Sequence, residues 1–303
     1  MEVESRFADE TACREYLFGL RWPTGFVCPE CGARQAWRLR KGLWQCRGCR
    51  QQVSVTAGTI FESSHLAMRV WFRAMWQMTS QKNGISALGL QRVLGLGSYK
   101  TAWAMLHKLR RAMVRPDRDR LSGRVEVDEA FWGAREPGMR GGRETEEKAL
   151  IIAAVELKGL GMGRVRLRSI PNTDRITLHT FIQDSVEPGS TGCTDGLQAY
   201  RELVGYRHER HIQEHQRRGD YVLPHVHRVF SLLKRWLLGT HQGAIGHPHL
   251  DDYLNEFTFR FNRRLSASRG KLFYRLVQQA VQVPHQSFAS LSTPPSVGGG
   301  GVK

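Results

Sequence analysis

"VDEAFWGA", residues 127–134, sets two acids directly after a short apolar run and follows them with Phe131, Trp132 and a glycine. An acid at the end of a strand is costly if it is buried without partners. Further along, "GCTDGLQAY" (192–200) repeats the arrangement: Asp195 ends a run of small and apolar residues and is followed by glycine. Two acids on two strand ends suggest a shared cation, so the elements around them decide the fold.

From Arg124 onward the chain reads as short β-type runs divided by turn chemistry. They are "RVEVDEAFW" (124–132), "ALIIAAVEL" (149–157) and "RVRLRSI" (164–170), two of them with clear alternation. By that alternation Glu126 shares the face of Asp128 and Glu129 does not. The loop 133–148, rich in glycine and charge, is expected to be exposed and mobile. A helix follows at 174–186 with Asp174 as its N-cap, then a strand in "STGCTDG" (190–196), then two helices at 225–241 and 250–265. This is an α/β domain with Asp128 and Asp195 at its strand ends.

Magnesium keeps several waters and takes one or two protein carboxylates, so two acids make a credible inner shell. A third ligand can come from the helix at 225–241. His227, Ser231 and Lys234 lie four and seven apart, hence on one helical face. Lys234 would then set its ammonium beside a phosphate. His225 falls about 160° away from His227 around the helix and is expected to stay off that face.

Upstream, "CPEC" and "CRGC" supply Cys28, Cys31, Cys46 and Cys49, two C-x-x-C knuckles with fourteen residues between them. Four thiolates close a tetrahedral structural zinc site with no open position. Redox dithiols would want a flanking strand–helix pattern that is missing here. Cys13 and Cys193 stand alone and read as packed thiols. Between 65 and 113, apolar residues recur at helical spacing in three blocks, broken at Asn83-Gly84 and at Gly95-Leu96-Gly97. Ser98 is the expected N-cap of the last, basic block. Two short helices about a glycine turn look like a helix-turn-helix.

The chain is long enough, at 303 residues, for about two domains with real cores. Lys and Arg number 45 against 28 Asp and Glu, and the net charge of +17 implies a polyanionic partner. No apolar run approaches the ~18–20 residues that span a bilayer, and the polar start is unlike a signal peptide, so a cytoplasmic protein is expected.

Taken together, "CPECG…CRGCR", "VEVDEAFWG", "TDGLQAY", "SLLKRWLLGTH" and "YLNEFTFRFNRR" resemble the bacterial insertion-sequence transposases of the ISXO-like group, over roughly residues 10–280. That resemblance implies a multi-domain chain. A zinc ribbon (1–62) and a helix-turn-helix-like module (63–116) precede an α/β, ribonuclease-H-like, retroviral-integrase-like catalytic domain (117–283). The remaining stretch, 284–303, has no apolar period and is expected to be disordered. The resemblance also implies structural zinc, catalytic magnesium or manganese, and a homo-oligomer that acts on double-stranded DNA, both terminal repeats and target, at the nucleoid. Asp128 and Asp195 match the family's first two acidic positions, and Lys234 matches the basic residue after the third. Counting back seven from Lys234 gives His227 rather than glutamate at that third position, a substitution the group tolerates. Glu256 on the next helix is an alternative third acid, and a solvated helix acid is its plainer reading. A catalytically inactive, domesticated zinc-ribbon DNA-binding protein is the rival reading, and His227 is the feature that favours it. Arg260, Arg263 and Arg264 are expected on phosphate, and the tryptophans of "WFRAMW" and "KRWLLGTH" in the core rather than on DNA.

Overall fold

A computed structural model describes residues 2–115, 117–133, 148–212, 222–243 and 245–292. The chain opens with α1 (Glu2–Arg6) and α2 (Glu10–Arg21), then β1 (Ala36–Arg38), β2 (Leu43–Cys46) and β3 (Gln52–Ser54). Three helices follow: α3 (Met68–Ser80), α4 (Ala87–Leu94) and α5 (Tyr99–Ala112). Next come β4 (Arg124–Trp132), β5 (Ala149–Lys158), β6 (Gly161–Ile170), α6 (Arg175–Ser185), β7 (Thr191–Thr194) and β8 (Arg207–Arg210). The last helices are α7 (Pro224–His241), α8 (Leu250–Phe261), α9 (Arg269–Ala280) and α10 (Phe288–Ser292). These elements form two compact units, residues 1–115 with 266–303, and residues 116–265.

In the first unit β1, β2 and β3 make an antiparallel sheet in that order. The helical breaks fall where the sequence places them. Ser86 accepts the Gly89 N–H at the start of α4, and Gly95 ends that helix at φ 65°, a conformation that suits a residue without Cβ. Ser98 does occupy the N-cap of α5, but its side chain makes no capping bond. The expected boundary at 283 moves. Residues 266–283 pack with the first unit, because the buried face of α9 meets α3 and α1–α2 through Phe273, whose ring lies 5.9 Å from Phe72 and 5.7 Å from Phe7. Residues 284–292 are also ordered, with Leu291 buried and Phe288 6.2 Å from Trp103. The remaining expected tail, 293–303, lies outside the described residues, as does most of the loop expected to be mobile, 134–147.

The second unit is built on one five-stranded sheet ordered β6-β5-β4-β7-β8. The first three strands form an antiparallel meander, while β7 pairs parallel to β4 and β8 parallel to β7. β5 is an almost uninterrupted apolar run because both of its faces are covered. On one face Val125, Val127 and Ile152 pack against Leu178, Phe181 and Ile182 of α6, whose start Asp174 caps by accepting the Thr177 N–H at 2.7 Å. On the other face Ala153, Val155 and Cys193 meet Val226, Val229, Phe230 and Leu233 of α7 and the apolar stripe of α8. Arg264 reaches back from beyond α8 and donates to the backbone carbonyls of Gly163 and Met162 at the head of β6. Arg263 lies over the Phe259 ring at 4.0 Å.

The turn of the β5–β6 hairpin is pinned by an ion pair. Burial pushes the Glu156 carboxyl up, but the Arg164 guanidinium at 2.6 Å and the N–H groups of Arg164 and Ser122 outweigh it and hold the group at about 2. A depressed carboxyl stabilises the fold above its ordinary value of 4.5, and that contribution is lost as pH falls toward 2. Glu156→Gln is expected to cost about 2 kcal/mol at pH 7, with the gap to the parent narrowing in urea melts at pH 3.

Candidate functional site: a four-thiol knuckle pair and an acidic sheet face

The two C-x-x-C knuckles fold alike. In the first, the Gly32 N–H donates to Cys28 O at 2.9 Å and the Cys28 N–H to Ala33 O at 2.9 Å. In the second, the Arg50 N–H donates to Cys46 O at 3.1 Å and the Cys46 N–H to Gln51 O at 2.9 Å. Gly32 and Arg50 take the same left-handed turn, at φ 72° and 63°, so the second knuckle carries a side chain where the first uses glycine. The Sγ atoms of Cys28 and Cys49 are 3.6 Å apart and those of Cys31 and Cys46 3.5 Å. A tetrahedral zinc with Zn–S of ~2.3 Å needs sulfurs ~3.8 Å apart, so the four thiols fit that ion. The Cys49 N–H, aimed at the Cys46 sulfur, lowers that thiol to about 7. Beside the knuckles Trp37, 39 % exposed, has the guanidinium groups of Arg47 and Arg50 over its ring at 5.1 and 4.8 Å.

The sheet face under α7 carries the acids. Asp128 is not at the end of β4 but fifth of nine residues; it is β7 that stops, one residue before Asp195. The parallel register Glu126↔Cys193, carried on two residues, brings Asp128 opposite Asp195. Asp128 is buried. Burial and the neighbouring Glu129 carboxyl raise it to about 7, Asp195 and Glu126 add to the rise, and its bond from the Glu129 N–H at 2.9 Å opposes it. Asp195 accepts the Leu197 N–H at 2.9 Å, which fixes one oxygen of its carboxyl.

His227, in the first turns of α7, places Nε2 3.6 Å from Oδ2 of Asp128. Burial lowers its pKa below 6.5 and Lys234 adds to that, against the pull of Glu126 and Asp195. That direction favours the neutral ring, the form in which Nε2 can serve as a ligand. Lys234 is exposed two turns along the helix, on the stripe that the spacing predicts. The structure thus gathers Asp128, Asp195, His227 and Lys234, and it gathers more than the sequence reading asks for. Glu126 lies under the start of α7 and bonds His225, which therefore has a partner of its own on the sheet. Glu129 points to the opposite face, where it accepts the buried Tyr200 hydroxyl at 2.8 Å, as its alternation requires. Tyr200 leaves no sequence signal beyond its place in "GLQAY".

The remaining candidates separate. Glu256 is fully buried on α8, so the solvated reading of that acid is overturned. Trp71 is core and donates to Ser64 at 2.9 Å. Cys13 is a packed thiol pushed up to about 12 by burial. Cys193, Glu209 and His211 bring ligand atoms within 4.8 Å of one another. Arg124 already supplies the positive charge there, 2.8 Å from Glu209 and 3.4 Å from the Cys193 sulfur. Among the described residues no helix is long and apolar enough to cross a membrane.

The chain thus joins a buried acid face beneath a basic helix to a four-thiol ribbon. Residues 120–262 match the family model described as the ISXO2-like transposase domain, and residues 8–52 match the one described as the transposase zinc-ribbon domain. Across these two stretches the chain carries an ISXO2-like transposase domain and a transposase zinc ribbon, and the four-cysteine cluster of the ribbon is a structural zinc site. It is also similar to the "Uncharacterized protein in transposable element ISH50" of Halobacterium salinarum, at 29 % identity over 283 residues, 84 % of this chain and 91 % of that one.

Proposed function

We propose that this transposase is of the DDE type and that it cuts the ends of its insertion sequence and joins them to target DNA in a divalent-metal-dependent reaction. The observation that carries the reading is the approach of His227 to Asp128 opposite Asp195, with Lys234 on the same side of α7. The strand order, with only the second strand of the sheet antiparallel to the rest, supports a ribonuclease-H-like core.

Asp128 and Asp195 offer oxygens from two neighbouring strands, and His227 offers Nε2 from the helix above. The raised Asp128 carboxyl is consistent with the fit: burial is the main cause and the neighbouring carboxyls add to it, and a bound cation would offset both. Magnesium or manganese bound there would supply Lewis-acid stabilisation of the phosphate oxygens. Lys234 sets a positive charge along the path of the DNA backbone. In the first reaction water attacks a phosphodiester at the element's end; its oxygen bonds to phosphorus and the 3′ oxygen leaves as a hydroxyl. In the second, that 3′ hydroxyl attacks a target phosphodiester and releases a target 3′ hydroxyl. Chemistry of this kind depends on positioning and charge neutralisation. The surplus of +17 draws the DNA, which a homo-oligomer would hold.

The test is cleavage of duplexes carrying the repeats that flank its own gene, with and without divalent ion. Strand nicks only with the ion support the reading; tight binding without cleavage under either ion overturns it in favour of a non-catalytic DNA-binding protein. Nitrogen suits manganese better than magnesium. The manganese-to-magnesium activity ratio of the parent is therefore expected to exceed that of His227→Glu, which should recover magnesium activity. If His227→Ala cleaves like the parent while Glu256→Gln does not, the third ligand is Glu256.

A further inference from the structure

The first turn of any helix carries backbone N–H groups that the helix cannot satisfy itself. In α7 the N-cap residue Leu223 gives no side-chain acceptor, and Pro224 has no N–H to satisfy. The next two N–H groups, of His225 and Val226, both donate to Oε2 of Glu126, at 2.9 and 2.8 Å. Nδ1 of His225 lies 2.7 Å from Oε1 of the same carboxyl. Glu126 is the third residue of β4, and it is 4 % exposed. A buried acid in a central strand is costly unless its oxygens are occupied. Here three donors occupy both.

The position of this carboxyl gives it a consequence for the site. Asp128 lies two residues on along the same face of β4, and His227 directly follows Val226 in α7. One side chain therefore ties the strand that carries the first acid to the helix turn that carries the imidazole. Among the described residues no other side chain anchors the start of α7 in this way, since neither its N-cap nor its first turn supplies an acidic partner.

We propose that Glu126 is a positioning residue for the divalent-ion site. It fixes the first turn of α7 over β4, both along the helix axis and in rotation, and so holds Nε2 of His227 beside Asp128. The inference rests on the proposed function, which makes Asp128 and His227 ion ligands. Because both oxygens of Glu126 already accept donors, it acts as a clamp on the helix and not as a further ligand.

Two variants separate these roles. Glu126→Met keeps the length and volume of the side chain and removes both acceptors. Glu126→Gln keeps one oxygen for the two N–H groups, and its amide can donate to Nδ1 of His225 once that ring changes tautomer. Amide hydrogen exchange is read at residues 225–228 in the full chain without ion or DNA, and Mn2+ affinity is read by titration of free Mn2+. Glu126→Met is expected to speed exchange there by roughly tenfold or more and to weaken Mn2+ binding by about 10- to 100-fold, as loss of a supporting contact does. Glu126→Gln should stay within about threefold of the parent on both readouts, and His225→Ala should raise exchange by about two- to fivefold; these two decide the matter should the methionine variant not fold. Parental exchange and Mn2+ affinity in Glu126→Met would overturn the proposal. So would a glutamine variant that loses Mn2+ while its exchange stays parental, since Glu126 would then be a ligand. A parent chain that neither binds Mn2+ nor cleaves DNA overturns the proposed function and the ion-site half of this inference, while exchange at 225–228 still decides the clamp.

Discussion

Asparagine at Asp128 or at Asp195 is expected to slow strand cleavage by roughly 10³-fold or more, equivalent to about 4 kcal/mol of barrier, while DNA affinity changes by less than about threefold. The two effects part because affinity comes from the basic surface, and these acids contribute only where charge must be held against phosphate. A second, opposite effect is expected on stability. The folded protein raises the Asp128 carboxyl from 3.8 to about 7, so the fold favours its acid form. That favour is fully present below pH 3.8 and is lost as pH rises through about 7, where the buried group must ionise beside Glu129, Asp195 and Glu126. An asparagine amide in its place never ionises. Without divalent ion at pH 8, Asp128→Asn should therefore melt above the parent by several degrees, on the order of 2–4 kcal/mol, with the gap closing near pH 4. Mn2+ should raise the melting temperature of the parent and not of the variant, and its apparent affinity for the parent should fall as pH drops below about 7. Glu129→Gln should slow cleavage by about tenfold at most, since its carboxyl serves Tyr200 on the far face. Near-parental cleavage by either asparagine variant, or a destabilised Asp128→Asn at pH 8, would remove Asp128 and Asp195 from the proposed site.

What can be read from the sequence follows from which interactions are local. The knuckles are legible because two C-x-x-C pairs have one efficient use, and the faces of β4 because alternation separates Glu126 and Asp128 from Glu129 without reference to anything distant. β8 is not legible. "RHER" is short, charged and half-exposed, so it carries neither alternation nor an apolar run, and only its parallel pairing with β7 makes it a strand. The partner of α9 is equally hidden: a helical period says that one face is buried, not that Phe273 buries it against Phe72. The same limit explains Glu256 and His225. A helical wheel gives angles about one helix, and it cannot say that α8 turns Glu256 wholly inward or that the sheet beneath α7 presents a carboxyl to His225.

Serine at any one of Cys28, Cys31, Cys46 and Cys49 is expected to take the purified chain from about one zinc to nearly none, and to unfold the ribbon with it. The three strands of the ribbon are only three or four residues long, and several of their side chains remain exposed. Strands this short bury too little surface to hold a sheet by themselves. A structural zinc supplies apparent binding energy of ~10–16 kcal/mol at neutral pH, and in so small a module that is folding energy. The loss should be visible optically. Trp44 stacks on Phe18 of α2 at 4.5 Å, and Trp22 lies 5.0 Å from Phe26, so these indoles move into water when the knuckles open. A red shift of tryptophan emission should accompany the fall in zinc, and a strong chelator should reproduce it in the parent, since Cys31 and Cys49 are exposed. Cys13→Ser is the control: its thiol is buried against Phe7 O and outside the four-sulfur cluster, so zinc content should not change. An unchanged zinc content in a variant of any of the four would remove that cysteine from the site. A zinc-free variant whose emission and ribbon amide exchange stay parental would mean that the aromatic packing on α2, and not the metal, holds the module together.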